Sequence, residues 1–155
     1  MKDAERALLI VYASGTASTA RLANAATSGA RSAGGTRVWL RHARDAGPDE
    51  LAAADALIVA TPENFGYMAG SMKDFFDRSF YACEDRMAGR AYAVIVCAGN
   101  DGSFAVAAVE RILTGLRMRP AQAPMIVRGA PTAADLDRAY ELGEALAAAL
   151  AIGAL

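Results

Sequence analysis

The chain has 155 residues, of which 54% are hydrophobic and 21% charged, so it can bury a core of ordinary size and is not a disordered polymer. Sixteen basic against 17 acidic residues leave a formal net charge of -1, which offers no general hold for nucleic acid or an anionic membrane. Cys83 and Cys97 are spaced as neither a redox pair nor a zinc site, and suit two free, buried thiols in a reducing compartment.

Lys2 and Arg6 precede the apolar run Ala7 to Ala13, which faintly outlines a secretion signal. Asp3 and Glu5 interrupt the positive region and the run is at the short limit, so it reads as a first buried strand. Four more strand candidates follow: Thr36 to Arg41, Ala56 to Thr61, Tyr92 to Gly99, and Pro124 to Gly129. The first, third and fourth of the five are continuously apolar, the pattern of strands covered on both faces of a parallel sheet. Thr36 to Arg41 alternates Val38 and Leu40 with Arg37, Trp39 and Arg41, and reads as an edge strand. Helical patterns fill the gaps. Thr19 to Ser32 stops at Gly34 and Gly35, and Pro48 to Ala54 is short. From Met68, the residues Met72, Phe75, Phe76 and Phe80 form one apolar stripe. Phe104 to Leu116 repeats the pattern, and Thr132 with Asp135 forms a capping box that opens the last helix.

Strand and helix alternate five times across residues 1–155, with no linker or repeat. One domain is therefore expected: a three-layer α/β/α sandwich with a five-stranded parallel sheet of order 2-1-3-4-5. In such a sheet ligands bind beyond the carboxyl ends of the strands where the order reverses, at the loops after strands one, three and four. After strand one, Ser14, Thr16, Ser18 and Thr19 supply hydroxyls, Gly15 allows close approach, and a helix follows; this suits a phosphate, and equally ordinary helix capping. After strand three, Pro62 stiffens the loop, Gly66 permits an unusual backbone angle, Asn64 can donate or accept, and Phe65 and Tyr67 can shield a flat ring. After strand four, Gly99, Asn100, Asp101 and Gly102 suit either a plain turn or a bare-backbone contact.

The segment TPENFGYMAGSMKDFFDR resembles the corresponding segment of the NAD(P)H-dependent FMN and quinone reductases of the flavodoxin superfamily. SGTAST matches that family's phosphate loop in place and character, and the similarity covers the whole flavodoxin-like rhythm. The resemblance implies FMN as cofactor and NAD(P)H as co-substrate. Its phosphate would lie on Ser14, Gly15, Thr16, Ala17, Ser18 and Thr19. Thr61, Pro62, Glu63, Asn64, Phe65 and Gly66 would run along the isoalloxazine ring, and Ala98, Gly99, Asn100, Asp101 and Gly102 would close its other edge. No catalytic side chain and no metal is implied, because the redox chemistry belongs to the cofactor. A small acceptor such as a quinone, a homodimer and a soluble cytoplasmic protein complete the expectation.

The chain departs from some relatives in having no room for large insertions and no histidine in the third loop; its single His42 follows strand two. A one-electron carrier of the flavodoxin type is the alternative, set back by the near-neutral charge and by a third loop without an aromatic. A receiver-type domain needs acidic residues where Ser14 and Thr61-Pro62 stand, and a dinucleotide-binding domain needs a G-x-G-x-x-G after the first strand. A relative that has lost the flavin is opposed by the intact first two loops.

Overall fold

The computed structural model describes residues 4–155; Lys2 and Asp3, which enter the reading of the amino-terminal charges, lie outside them. In chain order the elements are β1 (Arg6–Tyr12), α1 (Ser18–Ala33), β2 (Thr36–His42), α2 (Pro48–Ala53), β3 (Ala56–Asn64), β4 (Tyr67–Met68), α3 (Gly70–Cys83), β5 (Ala91–Ala98), α4 (Ser103–Gly115), β6 (Arg119–Pro120), β7 (Met125–Arg128) and α5 (Ala133–Ala151). The parallel strands run in the order β2-β1-β3-β5, and β5 carries both β6 and β7 on its far side. This is the flavodoxin-like 2-1-3-4-5 arrangement with its last strand broken in two. Pro120 and Pro124 flank the break; neither can donate to a ladder, so this segment belongs at an edge.

Period-two alternation sorts the central strands between two cores. Leu9, Val11, Leu57, Val59, Val94 and Val96 face α3 and α4, where Phe75, Phe76, Val109 and Leu113 meet them. Leu8, Ile10, Ile58, Ala93 and Ile95 face α1 and α5, against Leu22, Ala26, Leu142 and Leu146. Edge strand β2 is protected differently: Arg37 and Arg41 point outward, Arg37 lies over the Trp39 ring at 5.4 Å, and Arg41 pairs with Glu50 at 2.8 Å. Charged, non-flat edges of this kind discourage pairing with another chain.

The last helix begins at the anticipated capping box. Thr132 Oγ1 accepts from the Asp135 amide at 3.2 Å, and Asp135 Oδ2 accepts from the Thr132 amide at 2.9 Å. In its apolar carboxyl-terminal run, Leu146, Ala147 and Leu150 are buried, whereas Ile152 is exposed. Helices α1 and α5 touch through glycines. A Cβ on Gly29 would sit inside the carbonyl of Tyr140, and one on Gly143 inside the carbonyl of Ala26.

Besides the broken last strand, a hairpin was not anticipated from the pattern. Strand β3 continues three residues past Thr61 and folds back onto β4, with Glu63 opposite Met68 and Asn64 opposite Tyr67. The connection is only Phe65-Gly66, with φ of 53° and 71°. Two positive φ values at the centre of a two-residue hairpin define a type I′ turn, whose twist matches that of the flanking strands. Asparagine is the favoured first residue there, because a Cβ-bearing aromatic is strained in the left-handed region. What was expected to be an open loop is therefore a rigid finger.

Gly29→Ala and Gly143→Ala are each expected to destabilise the fold by about 1–3 kcal/mol or more through overpacking. Thermal denaturation followed by circular dichroism measures this, and an unchanged midpoint would contradict the close helix contact. Phe65→Asn is expected to do the reverse: relief of left-handed strain adds about 1 kcal/mol, raising the midpoint by roughly 2–4 °C. A lower midpoint would show that Phe65 contributes packing that its exposure conceals.

Candidate functional site

The carboxyl ends of β1, β3 and β5 are neighbours, with Tyr12 paired to Ala60 and Pro62 to Cys97. The three predicted loops therefore emerge side by side on one rim. The first is the most open. Gly15, Thr16 and Ala17 are exposed, and nothing lies within 4 Å of where a Gly15 Cβ would be. Helix α1 begins with Ala17 as its N-cap, in the left-handed region at φ 69° and without a side-chain cap. Ser14 Oγ accepts from the Ala20 amide at 3.3 Å. The amides of Gly15, Thr16, Ala17, Ser18 and Thr19 find no partner among the described residues. A helix start with this many free N–H groups attracts an anion through their partial charges and the helix dipole. A left-handed residue at such a turn is one way for successive N–H groups to face a common point. Ser14 and Ser18 are half-buried and Thr19 is buried, so the exposed hydroxyl of this loop belongs to Thr16.

The second loop is the finger. Thr61 is fully buried; its Oγ1 accepts from the Ala69 amide at 3.0 Å and donates to the Pro62 carbonyl at 3.0 Å. Its side chain thus ties the finger to the start of α3 and is not free for a ligand. Pro62 is half-buried, Asn64 is exposed, and Phe65 is 108% exposed at the tip beside Gly66. Met68 and Met72 pack into the core with Phe75 and Phe76, while Lys73–Asp77 and Asp74–Arg78 are ion pairs on the solvent face. Arg78 also donates to the Ala43 and Ala46 carbonyls at 2.8 Å each, bracing the segment after β2.

The third loop is tied down. Glu63 Oε1 accepts from the Asn100 amide at 3.1 Å and Oε2 from the Gly102 amide at 2.8 Å. The Asp101 carboxylate accepts from the Ser103 amide and hydroxyl at 3.0 and 2.7 Å; these two bonds, with a smaller effect of Arg128, hold it below the usual carboxylate range. Arg128 donates to the Asp101 carbonyl at 3.2 Å from β7. Gly102 is buried at φ 79°, and a Cβ there would press on Ala98 and Ile126 at 3.0 Å, so this glycine serves packing. Gly99 has nothing within 4 Å of a Cβ and stays open, while Ala98 is buried beneath it.

Cys97 and His42 border the rim without joining it. Burial pushes the Cys97 thiol up, with Asp135 adding to the shift against hydrogen bonds from Ser18 and Thr19; it is a neutral thiol under α1. His42 accepts from the Arg44 amide at 3.1 Å and meets the Tyr12 ring edge-on at 5.2 Å. Burial, then Arg44, lowers its pKa, so the ring is uncharged at neutral pH. Two hollows of the surface lie elsewhere, beside α5 and at the opposite end of the strands among the pairs Arg6–Asp55 and Arg37–Glu5.

The rim therefore offers an anion seat, a stiff aromatic-tipped finger and a shaped third loop, an arrangement suited to a flat molecule with a phosphate tail. The sequence reading brought these three segments together; it assigned no separate role to the side chains of Glu63 and Arg128. A signal for Glu63 existed. It has the same parity as Val59 and Thr61, which directs it to the α4 side of the sheet, where the helix start lacks acceptors.

Comparison with known proteins agrees with this fold. The chain is 32% identical over 109 residues to a flavodoxin of Aquifex aeolicus, covering 70% of this chain and 59% of that protein. It is 32% identical over 110 residues to an NAD(P)H dehydrogenase (quinone) of Acidithiobacillus ferrooxidans, covering 57% of this chain and 55% of that protein. The chain thus spans between a half and three-fifths of the length of these curated relatives. Its fold matches a flavodoxin from the domain Archaea with a TM-score of 0.81 at 23% identity, covering 91% of this chain and 96% of that one. It also matches the two-electron reduced flavodoxin of Megasphaera elsdenii with a TM-score of 0.76 at 23% identity, covering 90% and 98%. The family model described as NADPH-dependent FMN reductase matches residues 43–131, which include the finger and the third loop: the chain belongs to that family.

Proposed function

We propose that the chain binds FMN at this rim and is an oxidoreductase that passes electrons from NAD(P)H to a small acceptor such as a quinone. The observation that carries the reading is the first loop: five consecutive free amides at the head of α1, with an exposed hydroxyl at Thr16 and no competing carboxylate within the loop. That donor set fits a phosphate monoester, which neutral N–H groups at a helix start can hold without a basic side chain.

In this reading Ser14 to Thr19 hold the phosphate, Thr61 to Gly66 lie along the ring, and Ala98 to Gly102 border its far edge. When bound, FMN supplies the hydride-accepting N5 and the route for electrons to the acceptor. The chain contributes binding, orientation and cover. The stiff hairpin keeps its backbone groups in place, and Phe65 presents an exposed ring to whatever approaches the finger. Exclusion of water by such a ring strengthens the polar contacts beneath it. A homodimer in the cytoplasm stays part of the proposal; the exposed rings of Tyr81 and Phe104 are surfaces that a second copy could cover.

One observation favours a second reading. Phe104 is 73% exposed directly after the third loop, so aromatics stand beside both ring-facing segments, as in a one-electron carrier. Adding NADPH to the FMN-loaded protein separates the two. A reductase bleaches its own flavin within seconds, whereas a carrier stays yellow until a partner reductase is supplied.

The binding site has its own test. The purified chain is expected to quench FMN fluorescence in a one-to-one titration, and Thr16→Glu to weaken the affinity by about hundredfold, through charge repulsion at an exposed position that leaves the fold intact. Unchanged affinity in that variant would show that the phosphate lies elsewhere.

A further inference from the structure

We propose that Glu63 is a positioning residue that selects which backbone amides of the third loop face the flavin ring; this rests on the FMN reading above. The carboxylate crosses from the finger to a segment 37 to 39 residues away and accepts two bonds, from Asn100 at 3.1 Å and Gly102 at 2.8 Å. Both are charge-assisted, the stronger class of protein hydrogen bond, and the second lies at the N-cap of α4, where a negative charge is favoured.

The consequence lies in the alternation. Asn100, Gly102 and Ser103 have their amides engaged, the last by Asp101. The amides of Gly99 and Asp101 find no partner among the described residues, and the space beside Gly99 is open. Glu63 takes every second donor and leaves the intervening ones for the ligand. The loop is held against relaxing by an independent tie, Arg128 gripping the Asp101 carbonyl, and Gly102 is buried where a Cβ would press on Ala98 and Ile126. Glu63 also fixes the distance between finger and loop, because its own backbone belongs to the β3–β4 pair. A carboxylate so placed puts a negative charge beside both ring-facing segments, which disfavours an electron-rich reduced flavin.

The test uses the full chain with Glu63→Ala and Glu63→Gln, read in three ways. Hydrogen exchange of the cofactor-free protein is expected to accelerate at Asn100 and Gly102 in Glu63→Ala by at least about tenfold, since the opened amides lose their acceptor. FMN affinity is expected to fall about tenfold in the same variant. Glu63→Gln, which keeps an acceptor oxygen but no charge, is expected to recover part of that affinity while moving the midpoint potential of bound FMN to less negative values. A purely structural role would not move the potential. Unchanged exchange and affinity in Glu63→Ala, or an unchanged potential in Glu63→Gln, overturns the assignment. A wild-type chain that leaves FMN unbound overturns the parent reading and the ring-facing role with it, whereas the exchange result judges the tie between finger and loop by itself.

Discussion

Everything in this molecule follows from burying three parallel strands on both faces. Over Ala7–Val11, Ala56–Ala60 and Ala91–Val96, strands β1, β3 and β5 have no solvent side, so these stretches must be apolar and each connection must leave the sheet and return through a helix. Right-handed crossovers then place every outgoing loop of these strands at one end. The backbone groups at that end lack ladder partners, since the strands stop there while the helices have only begun. A rim of unsatisfied polar backbone beside an apolar core is the physical origin of the site, before any particular side chain is considered.

Strain is distributed accordingly. Among the described residues three non-glycines have positive φ, Ala17, Phe65 and Arg117, and the first two lie in loops of the rim. Left-handed conformations persist at such residues only where the surroundings over-determine them. The surroundings here are specific: Thr61 binds the finger to the head of α3, Glu63 binds it to the third loop, and Arg128 binds that loop to β7. Strand parity assigns these ties to layers. Thr61 and Glu63 reach toward the α3 and α4 layer, while Cys97 lies on the α1 and α5 side.

Much of this was legible in the residues. The four apolar runs, the alternating edge strand and the five helical patterns appear within one or two residues of their expected bounds, except at the ends of β3 and α3, because burial on two faces, or on one, leaves so plain a pattern. The capping box at Thr132 was equally plain, since its chemistry is local. The hairpin at Phe65-Gly66 was hidden. Asn-Gly would have announced it, and phenylalanine at a left-handed position is a choice that local propensity argues against. The split last strand was hidden because a break flanked by two prolines reads simply as loop. Glu63 was named as part of the ring bed, yet its partnership with residues 100 and 102 depends on which strands are neighbours, and that is a property of the whole sheet.

The glycine contact between α1 and α5 carries a consequence for how such a chain can change. At both positions the obstacle to a methyl group is main chain, on Tyr140 and on Ala26, so no replacement of a facing side chain could make room. The two sites cannot drift in concert the way ordinary packing neighbours do. The head of α1, with its bare amides, therefore inherits its height above the sheet from a helix more than a hundred residues downstream, and ancestry can alter that height only by shifting an entire helix.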